Sequence, residues 1–445
     1  MEYTLLINKL TVFNELKESN CFKKLVKMFQ LIGSGSEIKR NQAYYSFVSD
    51  LLEENCTITY SVASPWQNYL LEKILTADNL FSRQGEMQAN LSPILETVVQ
   101  NDFKYLEKLY NIDWQAVEEQ LLGEALDNSI FSFKNTPILE NYDAFPEKYH
   151  EEKRVLKEFM DKNKGWENLL PEIMAFFKKW GTGEFARYWI FKYNGKSLEG
   201  ISKPDTIRLQ QLIGLNTQRN QLVENTKQFV KGYTANNVLL YGDRGTGKSS
   251  TVKGIVHDFG EMGLRLVEVS LKGLIRLPYL LKKLAKRPQR FILFIDDLSF
   301  EENETQYKEL KAVLEGGVVA QPDNVLIYAT SNRRHLIKEK FADRDMSYYV
   351  VDNDEVRTQD TLQEKLSLSD RFGMTIYFTS PIQKEYLEIV HALAKEKNIE
   401  MEEKMLDRMA LQWELMHNSR SGRTAKQFID NLSGRLAMES ADKKI

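Results

Sequence analysis

Cysteine is scarce in this sequence of 445 residues: only Cys21 and Cys56 are present. Two cysteines are too few for a disulfide framework, and neither has a neighbour at the spacing that holds zinc. We therefore expect a protein of a reducing compartment, the cytoplasm.

Long apolar runs and an excess charge of one sign are missing as well. No stretch approaches the roughly 18 apolar residues that a membrane span needs, and the N-terminus lacks the basic start and apolar core of a secretory signal. The 60 Lys and Arg against 63 Asp and Glu leave a net charge of −3. The whole molecule therefore has no strong field that would steer it to a membrane or to nucleic acid.

The chain up to about residue 193 has apolar residues mostly three or four positions apart, which predicts helices throughout. Ser64 followed by Pro65 is a typical helix start. Five of the six tryptophans lie in this region. They could form an aromatic docking surface, but their helix-periodic apolar positions favour a helical core. We assign residues 1–195 to an all-helical N-terminal domain that selects partners.

The pattern changes after this region. Residues 194–205 are rich in Gly, Ser, Asn and Pro and have no periodicity, so we place a linker at residues 196–208. Short β-branched or apolar runs then alternate with helical stretches, which is typical of a buried and largely parallel sheet. The predicted fold class is α/β, with a sheet domain over residues 209–380 and a helical region over residues 381–445.

The sharpest motif is GDRGTGKSS, which lies between a predicted strand and a predicted helix. It satisfies the phosphate-loop pattern GxxxxGK[ST] in the context that the pattern requires. Glycines let the backbone amides of such a loop wrap a phosphate chain, and the following helix directs its positive end at the anion. Lys248 is expected on the outer phosphates and the Ser249 hydroxyl on Mg²⁺. The predicted phosphate-binding residues are Gly242, Asp243, Arg244, Gly245, Thr246, Gly247, Lys248, Ser249 and Ser250.

Two further strand ends carry polar side chains suited to the same site. RFILFIDD is an apolar strand ending in Asp296, expected to hold Mg²⁺, and Asp297, expected to polarise the attacking water. The next strand ends at Asn332, whose amide is suited to orienting that water. Each signal is weak alone, because acidic strand ends are common and a strand-end Asn is usually a turn former. Their combination with the phosphate loop favours a nucleotide site.

In this order, the three motifs and the later segments SLSDRFG and SGRTAKQFID resemble the motif set of an AAA+ ATPase. The stretches ANNVLLYGDRGTGKSS, RFILFIDDLSFE, VLIYATSNRRHLI, EKLSLSDRFG and RSGRTAKQFI resemble more closely a bacterial AAA+ family classed as a domain of unknown function. The resemblance covers residues 180–440. It implies a P-loop NTPase core with a C-terminal helical lid, ATP and Mg²⁺ at the site, and a homo-oligomeric ring.

The resemblance also implies roles for residues outside the three motifs. Arg371 matches the arginine finger, which in this superfamily reaches the nucleotide of a neighbouring subunit; without the resemblance, a structural ion pair would be favoured. Arg423 matches the sensor 2 arginine of the lid, and Arg420 is an alternative three positions earlier. Ile213 and Gly214 resemble the segment that borders the adenine.

One departure from the AAA+ pattern concerns the catalytic carboxylate. Most members carry Glu where Asp297 stands. The shorter side chain holds its carboxylate further from the water, which is expected to slow hydrolysis. Glu301 and Glu302 are alternatives for this role.

A second departure lies in residues 271–290. Substrate-threading members carry an aromatic residue, an apolar residue and Gly at this place, whereas Leu271 and Lys272 precede Gly273 here, so a polypeptide-pulling pore loop is not predicted. The same segment contains seven basic residues and no acidic one. Such a run would suit a nucleic-acid-binding rim of a ring, although a solvated helix face is the commoner explanation.

The function that these observations favour is Mg²⁺-dependent binding and hydrolysis of ATP, coupled to remodelling or regulation of a macromolecular partner held by the N-terminal domain. An ATP-gated switch with slow turnover stays open because of the short Asp297 side chain. A nucleic-acid loader rests on the basic run alone. A small-molecule kinase is least favoured, because no acceptor pocket is recognisable. No membrane association is expected.

Overall fold

The computed structural model describes residues 2–33, 36–56, 63–123, 129–132, 147–202, 207–298, 305–315, 321–332 and 368–442. The chain forms two compact units. The first consists of Met1–Trp189 and Gly200–Pro204, and the second of Ile190–Glu199 and Asp205–Ile445.

The first unit is helical. Side chains of Ser19, Ser64 and Asp113 each accept the backbone amide of the residue three positions later, so three of its helices begin at capping residues. Its helices are α1 (Glu2–Lys9), α2 (Asn20–Gln30), α3 (Glu37–Cys56), α4 (Pro65–Leu75), α5 (Leu80–Glu86), α6 (Pro93–Tyr110), α7 (Trp114–Leu122), α8 (Glu147–Lys162), α9 (Leu170–Trp180) and α10 (Glu184–Arg187).

Tryptophans fill the core of this unit. Trp66, Trp114, Trp166 and Trp180 are at most 8% exposed, and Trp189 is partly buried against the same core. The interpretation of these residues as core is confirmed.

Within the described part of the chain, no helix is both long and apolar enough to cross a membrane.

The second unit is built around a sheet. Its strands are β1 (Ile190–Tyr193), β2 (Leu198–Gly200), β3 (Val238–Gly242), β4 (Leu264–Val269), β5 (Arg290–Ile295), β6 (Val325–Ser331) and β7 (Met374–Phe378). Its helices are α11 (Asn216–Val230), α12 (Lys248–Phe259), α13 (Leu277–Leu284), α14 (Thr305–Leu314), α15 (Gln383–Glu396), α16 (Glu403–His417) and α17 (Gly422–Asp442). Among the described residues the strand order is β2-β1-β4-β5-β6-β3-β7.

The central strands run parallel, with the phosphate-loop strand β3 between β6 and β7. Strands β5 and β6 are buried along almost their whole length, as continuous apolar runs in a covered parallel sheet should be. The register pairs Ile295 with Ala329 and Tyr241 with Ser331. This register brings the ends of β3, β5 and β6 to one edge of the sheet.

The C-terminal helices α15, α16 and α17 have a small core of their own. Tyr386, Val390, Ala410, Phe428 and Ile429 are all buried in it. These helices form the lid expected after the sheet. The predicted fold class is thus confirmed: an α/β P-loop core with a helical lid, preceded in the chain by a helical region.

Two strands differ from the sequence expectation. Strand β1 lies where helices were predicted, and β2 lies inside the predicted linker. β1 pairs in parallel with β4, Ile190 opposite Leu266 and Tyr193 opposite Val269. A buried strand of this length has too few residues to show a period of its own, so only its pairing with β4 identifies it.

This pairing generates a prediction about fragments of the chain. A fragment of residues 189–445 keeps β1 and β2, whereas a fragment of residues 202–445 lacks them and leaves the backbone N–H and C=O groups along one edge of β4 unpaired. We expect the shorter fragment to melt at lower temperature and to aggregate, as measured by circular dichroism and light scattering. Equal melting temperatures and solubility would instead support a linker at residues 196–208.

Candidate functional site

The phosphate loop connects β3 to α12, and its backbone requires glycine at two positions. Gly242 has φ +137°, and an added Cβ would lie 1.9 Å from the Phe378 carbonyl oxygen of β7. Gly247 has φ +94°, and an added Cβ would lie 2.9 Å from Leu215 Cδ1. The backbone carbonyl leaves no room for a side chain at Gly242, and the positive φ strains any other residue at Gly247.

Lys248 begins α12 and is only 6% exposed. Its Nζ donates to the carbonyl oxygens of Gly242 at 2.8 Å and Asp243 at 2.6 Å, and to Asn332 Oδ1 at 3.3 Å. Burial lowers the pKa of Lys248, although nearby carboxylates, first that of Asp243, act in the opposite direction. The ammonium group is therefore fixed between the phosphate loop and the end of β6.

Asp296 follows β5 and accepts two short hydrogen bonds on one oxygen. Ser249 Oγ and Thr330 Oγ1 both donate to Asp296 Oδ1, each at 2.6 Å. The Thr330 oxygen also accepts the Asp297 amide at 2.9 Å. The Thr330 hydroxyl on β6 therefore fixes the position of both acids.

Asp297 occupies an unusual backbone conformation. Its φ of +53° lies in the left-handed region, which Asp tolerates better than most side chains. Asn332 Nδ2 donates to Asp297 Oδ1 at 2.6 Å. Because Asn332 Oδ1 also contacts Lys248, a single amide connects the acid to the phosphate-loop lysine.

These side chains open into a cleft of about 1080 Å³ between the sheet edge and the lid, ample for a nucleotide-sized ligand. Ile213 and Gly214 lie in its wall. The lid adds an apolar wall of Ile389, Leu393 and Ile429. The predicted residues that line the cleft are Ile213, Gly214, Arg244, Gly245, Thr246, Gly247, Lys248, Ser249, Ser250, Asp296, Asp297, Asn332 and Arg423. Gly242 and Asp243 do not line the cleft, and their carbonyl oxygens accept hydrogen bonds from Lys248.

The lid arginines have different surroundings. Arg423 lines the cleft, near the start of α17. Arg420 pairs with Glu414, with Nη2 2.9 Å from Oε1, and does not line the cleft. The geometry therefore favours Arg423 over Arg420 as the cation that faces a bound ligand.

Arg371 lies outside the cleft of its own chain. Its Nη2 is 3.2 Å from Glu315 Oε1, and its side chain is 48% exposed. The structure thus shows the ion pair, with about half of the Arg371 side chain exposed. Glu301 and Glu302 fall outside the described residues.

Sequence reasoning missed several residues that shape the site. Thr330 lies in β6, two positions before Asn332, which directly follows the strand. Extending the alternation of the strand by one residue would have placed both side chains on one face. Lys426 of the lid lines the cleft one helical turn after Arg423. The apolar lid residues carry no local signal, because their helices look like any amphipathic helix.

Residues 185–436 match the family described as protein of unknown function (DUF815). The matched span is more than half of the chain. The chain belongs to the DUF815 family. None of the curated proteins compared with it matches.

Two solved structures show how far the likeness of this DUF815 protein to other proteins extends. The RuvB Holliday junction branch migration motor of Thermotoga maritima is 17% identical with a TM-score of 0.36, over 53% of this chain and 66% of that chain. The AAA domain of FIGL-1 in complex with ADP is 17% identical with a TM-score of 0.35, over 55% and 78%. The DUF815 chain thus spans just under two thirds of RuvB.

The double role of Thr330 in the DUF815 protein gives a prediction. Thr330→Val keeps the shape of the side chain but removes the hydroxyl that positions both acids. We expect the Mg²⁺ concentration needed for nucleotide binding, measured by calorimetry, to rise about 10- to 100-fold, as for other residues that orient a metal ligand. Thr330→Ser restores the hydroxyl and should behave as wild type. An unchanged Mg²⁺ requirement in the Val variant would contradict the assignment of Asp296 to the metal.

Proposed function

We propose that this protein is a Mg²⁺-dependent ATPase. The observation that carries the proposal is the convergence of Lys248, Asp296, Asp297 and Asn332 at the ends of three neighbouring strands, beside a glycine-dependent loop at a helix N-terminus. A buried cation, fixed carboxylates and a glycine-dependent loop at a helix N-terminus together suit the charge and shape of a nucleoside triphosphate.

Binding of the nucleotide uses both walls of the cleft. Residues 242–250 cradle the phosphates, with Lys248 on the outer ones. Ile213 and Gly214 border the adenine, for which the apolar lid wall offers a second face. Arg423, which lines the cleft from α17, contacts the phosphates from the lid side. A ligand held by both parts would couple lid position to occupancy of the site.

The donors beside the phosphate loop fit Mg²⁺. This ion prefers carboxylate and hydroxyl oxygens and keeps several waters, and Ser249 Oγ and Asp296 Oδ1 already lie 2.6 Å apart. Among the described residues, no group of three or more His, Cys, Asp or Glu could hold a metal, so the remaining ligands would be water and phosphate oxygens. When bound, Mg²⁺ neutralises charge on the phosphates.

Hydrolysis requires a positioned water in line with the γ-phosphate. Asp297 accepts a hydrogen bond from that water and polarises it, and the Asn332 amide orients the carboxylate through the 2.6 Å contact. Lys248, whose Nζ lies 3.3 Å from Asn332 Oδ1, contacts the γ-phosphate and stabilises its charge. Asp297, Asn332 and Lys248 thereby hold the water and the phosphate in position before the reaction.

A second function, a slowly hydrolysing switch that signals by conformation, is favoured by one observation. Asp297 has a short side chain, and one of its oxygens already accepts the Asn332 amide. Both features reduce its capacity to act on water. Steady-state turnover of the wild-type protein distinguishes the two functions.

Assembly of subunits into a ring follows from Arg371 as part of the proposal. An arginine that is half exposed and outside its own cleft can stabilise transition-state charge in a neighbouring subunit. Hydrolysis would then depend on assembly, and the helical N-terminal region would select the macromolecular partner that is remodelled or regulated.

The phosphate-loop lysine is tested by a binding experiment. Lys248→Ala should abolish ATP binding measured by calorimetry, because it removes the buried cation of the loop. Lys253→Ala, on the same helix but paired with Glu268 at 3.5 Å, is the control and should bind ATP as wild type. Unchanged affinity in a folded Lys248→Ala protein would contradict the phosphate-loop assignment.

Complementation between two inactive variants tests the trans role of Arg371. Arg371→Ala should bind ATP yet lose about 10³- to 10⁵-fold in hydrolysis, and Lys248→Ala should be inactive. In a mixed ring, the Lys248→Ala subunit supplies an intact Arg371 to the ATP held by its neighbour. Mixing the two proteins should therefore restore phosphate release.

The outcome of the mixture is decisive in both directions. No recovery despite demonstrated mixed oligomers would rule out action in trans. Wild-type hydrolysis by Arg371→Ala alone would remove Arg371 from catalysis.

A further inference from the structure

The segment that follows β4 presents two different sides. Ser270 accepts the Gly273 amide at 3.2 Å and caps a 3₁₀ turn over Leu271–Arg276, which leads into α13. One side of this turn and helix is anchored in the protein interior. Its buried residues are Leu274, Leu277, Leu280, Leu281 and Leu284.

The opposite side is exposed and basic. Its exposed positions alternate with the buried leucines at helical spacing, so they share one side. We call this surface the basic face: Lys272, Arg276, Tyr279, Lys282, Lys283 and Lys286. Tyr279 is 65% exposed and stands in the middle of it.

No opposite charge balances the basic face from within its own segment. Residues 271–290 contain no acidic side chain, and none of its five cations forms an ion pair with another described residue. From Lys272 to Lys286 the strip extends about 20 Å, from the rise per residue of 3₁₀ and α-helices. The positive excess is local, because the net charge of the whole chain is −3.

The position of the basic face relates it to the nucleotide site. β4 is parallel to β5, so the segment after β4 begins at the same sheet edge as Asp296, which follows β5. Only the start of the basic face, at Lys272, lies at this edge. The chain then returns along α13 to the opposite edge, where Asn324, directly before β6, donates to the carbonyl oxygens of Leu284 and Arg287. The residues of the basic face do not line the cleft.

We propose that the basic face binds single-stranded nucleic acid. A row of cations is matched by the evenly repeated phosphates of such a chain, whose counterions are released on binding. An exposed aromatic side chain among the cations supplies a surface on which an unpaired base stacks. An acidic polypeptide or an anionic membrane would use the charges but has no base to stack on Tyr279.

Fluorescence anisotropy of the full-length protein with a labelled oligothymidine tests the proposal. An oligothymidine of about 20 nucleotides is long enough, because single-strand binding sites cover roughly 4–16 nucleotides. Nucleotide is omitted, so the result does not depend on the proposed ATPase. Lys282→Ala/Lys283→Ala should weaken binding. The negative slope of log affinity against log salt should become shallower by about 1.4, because each phosphate that is no longer neutralised accounts for about 0.7.

A matched double variant controls for charge. Lys227→Ala/Lys404→Ala removes two cations from exposed positions elsewhere in the same unit and should leave affinity and salt slope as in wild type. Both double variants should keep the wild-type rate of ATP hydrolysis without nucleic acid. Equal weakening in the two double variants, or no binding at low salt, would overturn the proposal.

The aromatic part has its own test. Tyr279→Ala should weaken oligothymidine binding roughly fivefold or more while leaving the salt slope unchanged, because the variant cannot stack a base but keeps every cation that faces a phosphate. Tyr233→Ala, at a residue that is 68% exposed, is the control and should bind as wild type. Unchanged affinity in Tyr279→Ala, or equally effective competition by polyglutamate or anionic vesicles, would show a general polyanion surface and overturn the assignment to single strands.

Discussion

The parallel register of β3, β6 and β5 is the constraint on which the candidate site depends. It places the ends of three strands side by side, so that residues distant in sequence meet within hydrogen-bond distance. Thr330 shows the consequence, because its one hydroxyl contacts Asp296 and the Asp297 amide. A shift by one residue would turn these side chains to the other face of the sheet.

Conformational restriction around the phosphate loop complements this register. Gly242 lies against the Phe378 backbone of β7 and Gly247 against Leu215, so the loop is held from two sides. Gly245 extends the restriction to the lid, since an added Cβ would lie 2.8 Å from Ser421 Oγ. A loop packed this closely presents its amides in a fixed arrangement, which lowers the cost of ordering it around an anion.

The sheet edge also relates the two proposals made for this protein. The nucleotide cleft opens beyond β3, β5 and β6, and the basic face begins beyond β4, the next strand of the same sheet. Arg371 precedes β7 at the other side of β3 and is held by Glu315. The nucleotide, the proposed neighbouring subunit and the proposed single-stranded nucleic acid would therefore all act on elements of one sheet, a short route for coupling between them.

The sequence by itself determined the α/β class, the helical lid and the residues of the phosphate loop. The GDRGTGKSS pattern lies in one short stretch of the chain, and runs of apolar residues predict which segments are buried. It also identified Asp296, Asp297 and Asn332 as strand-end residues. Only the tertiary structure decided that β1 joins the sheet beside β4, that Arg423 and not Arg420 faces the cleft, and that Thr330 joins the two acids. Strand pairing, ion-pair partners and shared hydrogen bonds each depend on residues far apart in the chain, and no local pattern of one segment specifies its distant neighbour.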